Sequence, residues 1–454
     1  PRECPAEGDE PPEPRRVDPD GTAAAVAEWG AEAYGEEGYD GPPYGTGWAD
    51  PEPFFWPVTR ADARAALSSF IEERLPAFGP YQDAMLEGEW SMNHALVSSS
   101  LNVGLLRPDE VIEAAVDAYE DGDAPVESVE GFVRQVLGWR EFVRHAYRRE
   151  PGMAGANALE ATEPLPEFFW TGETEMACLA DAVEGVRARG YSHHIQRLMI
   201  LSNFATTFGV EPKQLNEWFH AGYVDAYHWV TTPNVVGMGT FGTDSLSTKP
   251  YAASANYVDR MSDYCSGCPY YKTKTTGEGA CPFNALYWDF LGRNESRLRS
   301  NHRMGLVYSH WDDKDDDERE AIRERAADIR RLAARSRTGA RPAGGSGGGE
   351  RATPASGGSP TPASSSIGPS TTRIGGSARW NRDPRRRRGP RGGRRPRAGP
   401  GERPATYRPS GGPRRRRRER RPRPFARRRP GRRGPPGFGR RGRKRRAGTG
   451  RSGT

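Results

Sequence analysis

Four cysteines and one pair of adjacent histidines are the residues whose types and spacing could do chemistry. Cys265-Ser-Gly-Cys268 forms a C-x2-C pair, Cys281-Pro282 follows twelve intervening residues later, and Cys178 lies upstream in a helical pattern. Thiolates are soft ligands that suit zinc or an iron–sulfur cluster, and a C-x2-C loop lets two sulfurs converge on one centre. A Cys followed by Pro is common at the last ligand of iron–sulfur sites. The neighbours Tyr264, Tyr270, Tyr271 and Phe283 would keep water from such a centre. No histidine stands at finger spacing, which argues against a Cys2His2 zinc site. Spacing alone leaves zinc, iron–sulfur and unliganded buried thiols open. Cys4 stands apart in a Pro- and acid-rich stretch.

The second constellation, Tyr191-Ser-His193-His194-Ile-Gln-Arg197, opens a helical pattern. Adjacent side chains on a helix lie about 100° apart, so both histidines can flank one cavity without sharing a ligand position. Either could work as a general acid or base near neutral pH. Two core or capping histidines would produce the same pattern.

These groups must be positioned by helices. Thr59-Arg-Ala-Asp62 reads as a capped helix start before apolar Ala65, Ala66, Phe70 and Ile71. Helical patterning continues over 91–104, 108–120, 128–148, 174–188, 192–208, 211–220, 250–260, 281–291 and 313–335, with a short stretch at Thr22–Tyr34. Strand signals are sparse. The reading is a connector over 1–53, one all-α domain over 54–338, and a Gly/Ser/Pro/Arg-rich tail over 339–454 whose composition predicts disorder. The run Trp311-Asp-Asp-Lys-Asp-Asp-Asp-Glu-Arg-Glu reads as an acidic helix N-terminus rather than a metal site.

The 454 residues carry a formal net charge of +7 that averages two opposite parts. Residues 341–454 hold 35 Lys+Arg and only four acids (Glu350, Asp383, Glu402, Glu419), whereas residues 1–340 hold 32 bases and 56 acids. The basic tail reads either as an arm that neutralises phosphates or as GC-rich DNA translated past the natural end. No apolar run approaches the roughly 18–20 residues of a transmembrane helix. No secretory signal opens the chain, so a cytoplasmic location is expected. Five cysteines are too few for a disulfide scaffold.

Several blocks together resemble the cryptochrome/photolyase family. Phe132-Val-Arg-Gln135-Val-Leu-Gly-Trp139-Arg140-Glu141-Phe142 is similar to that family's Trp-Arg-Glu-Phe helix. Val97-Ser-Ser-Ser-Leu101-Asn-Val-Gly104 resembles its flavin-phosphate segment, with Tyr81 where a preceding Tyr stands. Tyr223-Val-Asp225-Ala226-Tyr-His-Trp229-Val resembles the stretch along the isoalloxazine ring. With the histidine helix between them in the expected order, the four cysteines, and Pro233-Asn-Val-Val-Gly-Met, the pattern is similar to the iron–sulfur branch of bacteria and archaea. That branch includes (6-4) photolyases and prokaryotic cryptochromes. The resemblance spans about residues 54–335.

It implies FAD in a helical bowl, with Tyr81, His94, Val97, Ser98 and Ser99 near the phosphates. Gln135, Trp139, Arg140, Arg197, Asp225 and Ala226 would lie along the rest of the cofactor. Cys178, Cys265, Cys268 and Cys281 would hold a 4Fe–4S cluster. His193 and His194 would face a lesion flipped out of UV-damaged DNA, and one of them would supply a proton during light-driven electron transfer. Trp218 and Trp170 match positions that pass electrons toward the flavin; as ordinary residues they would be core fillers. Lys249 and the Thr240–Thr248 loop would approach DNA or lie solvated. The implied enzyme is a photolyase of (6-4) type, a lyase acting as a monomer. The alternatives are a cryptochrome-like blue-light photoreceptor with the same cofactors and no repair, or a nucleic-acid-binding protein with structural zinc.

Two departures from the family pattern stand out. The chain begins in what resembles the connector after the antenna domain, so no antenna pigment is expected on it. Thr231 stands where an acidic residue commonly lies beside the flavin ring, which bears on flavin protonation. The acid-rich 1–340 resembles salt-adapted surfaces more than a DNA binder.

Overall fold

Most of the helices follow from local signals that the side chains then satisfy. Thr59 caps the helix Arg60–Ser69 by accepting from the Asp62 N–H. Pro108 opens the helix Pro108–Glu120 and Glu110 reaches back to the Arg107 N–H at 3.1 Å. Ala177–Arg189 ends at Gly190, whose φ of 62° is the left-handed cap that glycine adopts without strain. In the computed structural model the described residues are 4–5, 10–18, 20–34 and 54–336. The expected boundary at 338/339 and the basic tail lie outside them. Among the described residues there is no strand beyond isolated bridges, and no helix is long and apolar enough to cross a membrane.

Four helical stretches adopt the wider i→i+5 winding: Phe70–Arg74, Arg134–Trp139, Gln196–Ser202 and Pro233–Gly239. The second lies within helical backbone running from Val126 to Arg149 and is closed by Arg140 N–H on the Gln135 carbonyl. A wide turn shifts the phase of the residues after it, so Gln135, Val136, Trp139, Arg140 and Val143 can all line one wall.

Two main cores flank that wall. One holds Phe70, Leu75, Phe78, Phe132 and Val136; the larger holds Leu179, Ile200, Phe204, Trp218 and Phe283. Helix Pro282–Arg293 packs against both Asn203–Phe208 and Asp316–Ser336. There Asp289 takes Arg293 and Arg330, each at 2.7 Å, and these arginines donate onward to the carbonyls of Thr207 and Phe208. The open C-terminal carbonyls of one helix are thereby satisfied by charges from two others. In the N-terminal connector, Val17 is buried and the Arg16 guanidinium lies 5.9 Å over the Phe55 ring.

Three helix expectations need correction. The stretch 91–104 is helical only over Ser98–Asn102, because the backbone turns through left-handed Met92 (φ 46°) and Leu96 (φ 57°). Such angles are costly for a branched or bulky side chain, and here the chain uses them to bury Met92 while bringing His94–Ser98 to the cavity. The helix expected from 250 begins at Ala255. Asn203 holds the preceding segment extended through paired bonds with the Ala253 N–H and carbonyl, at 2.9 and 3.0 Å. The stretch expected at 313–335 is a helix over Asp316–Ser336, with acids in its first turn, after a separate helix Gly305–Asp312.

A close helix approach depends on Gly79, where an added Cβ would stand 2.8 Å from the Ser128 backbone nitrogen and Oγ. Gly79→Ala should lower unfolding free energy by about 1–3 kcal/mol through overpacking, while Gly138→Ala, in open space, should stay within about 1 kcal/mol of the parent. Paired denaturant titrations check this, and equal stability of the two variants would contradict it.

Candidate flavin cavity and cysteine cage

Between the two cores lies a cavity of about 400 Å³. Phe78, Phe132, Val136, Phe219 and Met238 form its apolar wall; Ser98, Asn102, Arg140, Arg197 and Asp225 form a polar edge. Asp225 is the node of that edge. Its carboxylate takes Arg197 through two bonds of 3.0 and 3.1 Å and the Ser98 hydroxyl at 2.6 Å, while its carbonyl accepts from Asn102 at 2.9 Å. Arg197 is fixed from its other side by the Ser192 carbonyl at 2.6 Å and lies 4.3 Å over the Tyr223 ring. A planar fork held at both ends keeps one geometry.

Of the residues expected along a flavin, His94, Val97, Ser98, Gln135, Trp139, Arg140, Arg197 and Asp225 line this one cavity. Tyr81, Ser99 and Ala226 do not. Ser99 is buried just behind it, Tyr81 is half-buried, and Ala226 packs on the larger core. Of the histidines, His194 lines the wall and His193 turns away from it. The helix begins only at His194, so His193 sits before its first turn with no exposed surface, stacked on His94 with ring centroids 4.8 Å apart. Burial drives both rings of that stack toward the neutral form. The value for His94 falls to about 3, and that for His193 falls well below the ordinary range, with neighbouring positive groups adding to the effect.

The sequence reading missed several lining residues. Asn234 accepts from the Trp139 indole at 2.9 Å and donates to the Val230 carbonyl at 2.7 Å, fixing the ring at the wall. Gln82, Asp83, Leu198 and Ser202 also line the cavity. Leu198, Ser202 and Asn234 come from helices, and Gln82 and Asp83 from the turn after the helix Leu75–Tyr81, all placed by tertiary packing, so no local signal marked them. Thr231 lines the cavity and accepts from the Tyr227 N–H at 3.1 Å. Lys249 is exposed and away from the cavity lining, and the end of its loop is held by Asn301 Nδ2 on the Thr248 carbonyl at 2.6 Å.

Trp218 is buried, donates to the Phe169 carbonyl at 2.8 Å, and stands 6.5 Å from half-buried Trp170 and 5.7 Å from Tyr223, which lines the cavity. A file of aromatic rings thus runs from near the surface to the cavity.

On the far side of the larger core, Cys178, Cys265, Cys268 and Cys281 border one gap of about 20 Å³ with Met176, Val258, Tyr264, Tyr270 and Phe283. Burial pushes the thiols up, to about 11 at Cys265 and about 12 at Cys281, and well above the ordinary value at Cys178, where the other three cysteines add to it. Among the described residues no three such side chains come close enough to hold a single ion. A zinc site needs that convergence, with each sulfur about 2.3 Å from the metal. A cluster of four irons takes one thiolate per iron and does not.

No protein-family model matches the chain. A protein of Agrobacterium fabrum (strain C58 / ATCC 33970) named (6-4) photolyase is 48% identical over 278 residues, which cover 61% of this chain and 55% of that one. The chain therefore spans about half the length of that curated relative. An uncharacterized protein, R855, of Acanthamoeba polyphaga mimivirus is 32% identical over 115 residues, 25% of this chain and 85% of that one. Among solved structures, a bacterial class III photolyase from Agrobacterium tumefaciens overlaps with a TM-score of 0.37 and 19% identity, over 41% of this chain and 39% of that one. A Synechocystis sp. PCC6803 cryptochrome does so with 0.40 and 14%, over 61% and 56%. Overlaps at that level carry no part of the assignment, which stands on the 48% identity. This is a helical chain built around an amphipathic cavity and a cysteine cage. Over the 278 matched residues it is similar to a member of the cryptochrome/photolyase family.

The neutral histidine stack sets a pH dependence. Both folded values lie below the unfolded value of about 6.5, so the unfolded chain takes up protons first. Their contribution to stability is complete above that pH and is lost as the pH falls toward the folded values. In cofactor-free protein, unfolding free energy should drop between pH 7 and 5 by up to about 1.4 kcal/mol per unit for each histidine, and His94→Gln should flatten the slope. Urea titrations at pH 7, 6 and 5 read it; parallel slopes in parent and variant would refute the assignment.

Proposed function

We propose that the chain is the flavin-binding part of a light-dependent DNA photolyase for (6-4) pyrimidine photoproducts, carrying FAD in the cavity and a 4Fe–4S cluster on Cys178, Cys265, Cys268 and Cys281. The observation that carries this reading is the 48% identity, over 278 residues, to a protein named (6-4) photolyase. The cavity supports the cofactor: an aromatic and aliphatic wall suits a flat ring system, and a polar edge suits ribityl and phosphate oxygens. At the His94–Ser99 end, His94 Nε2 and Ser99 Oγ are buried without a protein partner, as an oxygen-rich ligand there would require. His94, Ser98 and Ser99 would hold that end, and Gln135, Trp139, Arg140, Arg197 and Asp225 the remainder. Bound FAD supplies the light-driven electron.

The chain's own residues do the rest. Arg197 and Asp225 fix the polar edge, and Trp139 on Asn234 closes the wall against water. His194 stands where a ring nitrogen can hold a proton and return it to the lesion. Trp170 and Trp218, in edge-to-face contact, provide stations toward Tyr223 at the cavity. The cysteine cage fits a cluster in kind, because the raised thiols of Cys178, Cys265 and Cys281 are favoured as thiolates only beside strong positive charge.

Anaerobically purified protein should show flavin bands over a broad iron–sulfur shoulder, with about four irons per chain, and should repair (6-4) lesions under blue light. His194→Ala should abolish repair with FAD retained. Cofactors without repair would move the function to a photoreceptor, and a colourless protein holding only zinc would move it to a structural-metal, nucleic-acid-binding module. Trp218→Phe should retain flavin but slow its photoreduction by external reductant several-fold; an unchanged rate would remove Trp218 from the electron route.

A further inference from the structure

Three polar side chains, Tyr264 and Gln196 buried and Asp181 half-buried, join the cysteine cage to the histidine end of the cavity. Tyr264, immediately before Cys265, is 1% exposed and donates its hydroxyl to Asp181 Oδ2 at 2.5 Å. Asp181 lies on the helix of Cys178, and its Oδ1 accepts from the Gly88 N–H at 3.0 Å, on the segment leading to His94. Gln196, 2% exposed, donates from Nε2 to both Asp181 Oδ2 and the Tyr264 oxygen, each at 3.0 Å. Its Oε1 accepts from the His193 N–H at 3.2 Å.

The last bond is a capping interaction. The helix begins at His194, so His193 is the residue before its first turn and Gln196 is the third residue within it. A glutamine there reaches back to an N–H that has no partner inside the helix. Only an amide can do this while also giving hydrogens to a carboxylate and a phenol: glutamate keeps the acceptor but loses both donors, and leucine loses all three bonds. Apolar side chains of similar volume would cost less to bury than an ionised carboxylate and its partners. What the polar set adds is one defined arrangement.

We propose that Tyr264, Asp181 and Gln196 are positioning residues that lock the first turn of the His194 helix to the loop of Cys265. The order of the cysteine cage and the placement of His194 at the cavity wall are then one coupled property. The assignment of work to His194 and of metal to the cage rests on the proposed function; the mechanical coupling does not. Because coupling is reciprocal, whatever orders the cage orders the histidine end, and a lesion seated against His194 steadies the cage.

The test uses the full chain with labelled histidine, which is tractable because the chain has eight. Tyr264→Phe removes the hydroxyl that bonds Asp181 and Gln196 from the cage side, and Gln196→Glu keeps the reach-back acceptor while removing the donors. In both variants the His193 amide should exchange about tenfold faster, in line with the loss of roughly one buried hydrogen bond, and the His194 ring signals should shift. With cofactors bound, flavin and iron content should hold while kcat for repair falls several-fold at unchanged KM. Unchanged His193 exchange and His194 signals in both variants would overturn the coupling, whether or not iron is retained. A protein without flavin or iron would overturn the proposed function instead, and the amide and ring readouts would still decide the coupling.

Discussion

The bidentate pair between Arg197 and Asp225 holds the cavity together, because it joins walls that belong to different parts of the fold. Arg197 comes from the histidine helix and Asp225 from the loop after the Trp218 helix. Ser98 and Asn102, from the short helix beside the smaller core, close on the same residue. Little of this pair is exposed, at 24% and 8% of the two side chains. Breaking such a pair from one side leaves a charge that the surroundings cannot solvate, which makes it a constraint rather than an ornament. The tyrosines against Arg197, 5.0 Å to Tyr191 and 4.3 Å to Tyr223, extend the constraint to Trp56 and Trp90 on one side and to Trp218 on the other.

Around that pair, the helices achieve an inward wall by winding unevenly. A regular helix offers a stripe at i, i+3, i+4 and i+7. The wide turns Arg134–Trp139, Gln196–Ser202 and Pro233–Gly239 all border the cavity. Each inserts a residue into the phase and leaves weaker local hydrogen bonding, which is tolerated where the neighbours hold the helix in place. Asn234, whose amide bonds both the Val230 carbonyl and the Trp139 indole, shows how one such turn is braced from the next helix.

What could be read from the sequence divides along this line. The all-α class, the cap at Thr59, the helix Pro108–Glu120 and the Cys265/Cys268/Cys281 loop are local patterns, and local patterns survive into the fold. The association of Cys178 with that loop, and of Ser98 with Asp225, depends on segments far apart in the chain; only likeness to a family could pair them. The histidine pair shows the limit well. A helical rotation of about 100° between neighbours gives no warning that the helix starts between them, which sends His193 into a stack with His94 and leaves His194 at the wall. The false helix over 91–97 has the same origin: Met92 and Val97 are buried as a pattern predicts, but through left-handed turns at Met92 and Leu96 that no pattern encodes.

Among the described residues, six of the twelve buried side-chain polar atoms without a protein partner fall in one place. Arg74 Nη1, Asn93 Oδ1, His94 Nε2, Ser99 Oγ and both ring nitrogens of His193 gather about the His94 end, where Arg74 also holds the His94 carbonyl at 3.3 Å. Each such atom costs about 1–3 kcal/mol when nothing answers it. Of these residues His94 lines the cavity and Ser99 is buried just behind it, so a ligand with acceptors and donors at that end would answer them, while the opposite edge is already satisfied through Asp225. Binding there relieves the cost only in the folded state, so ligand and fold stabilise one another by mass action.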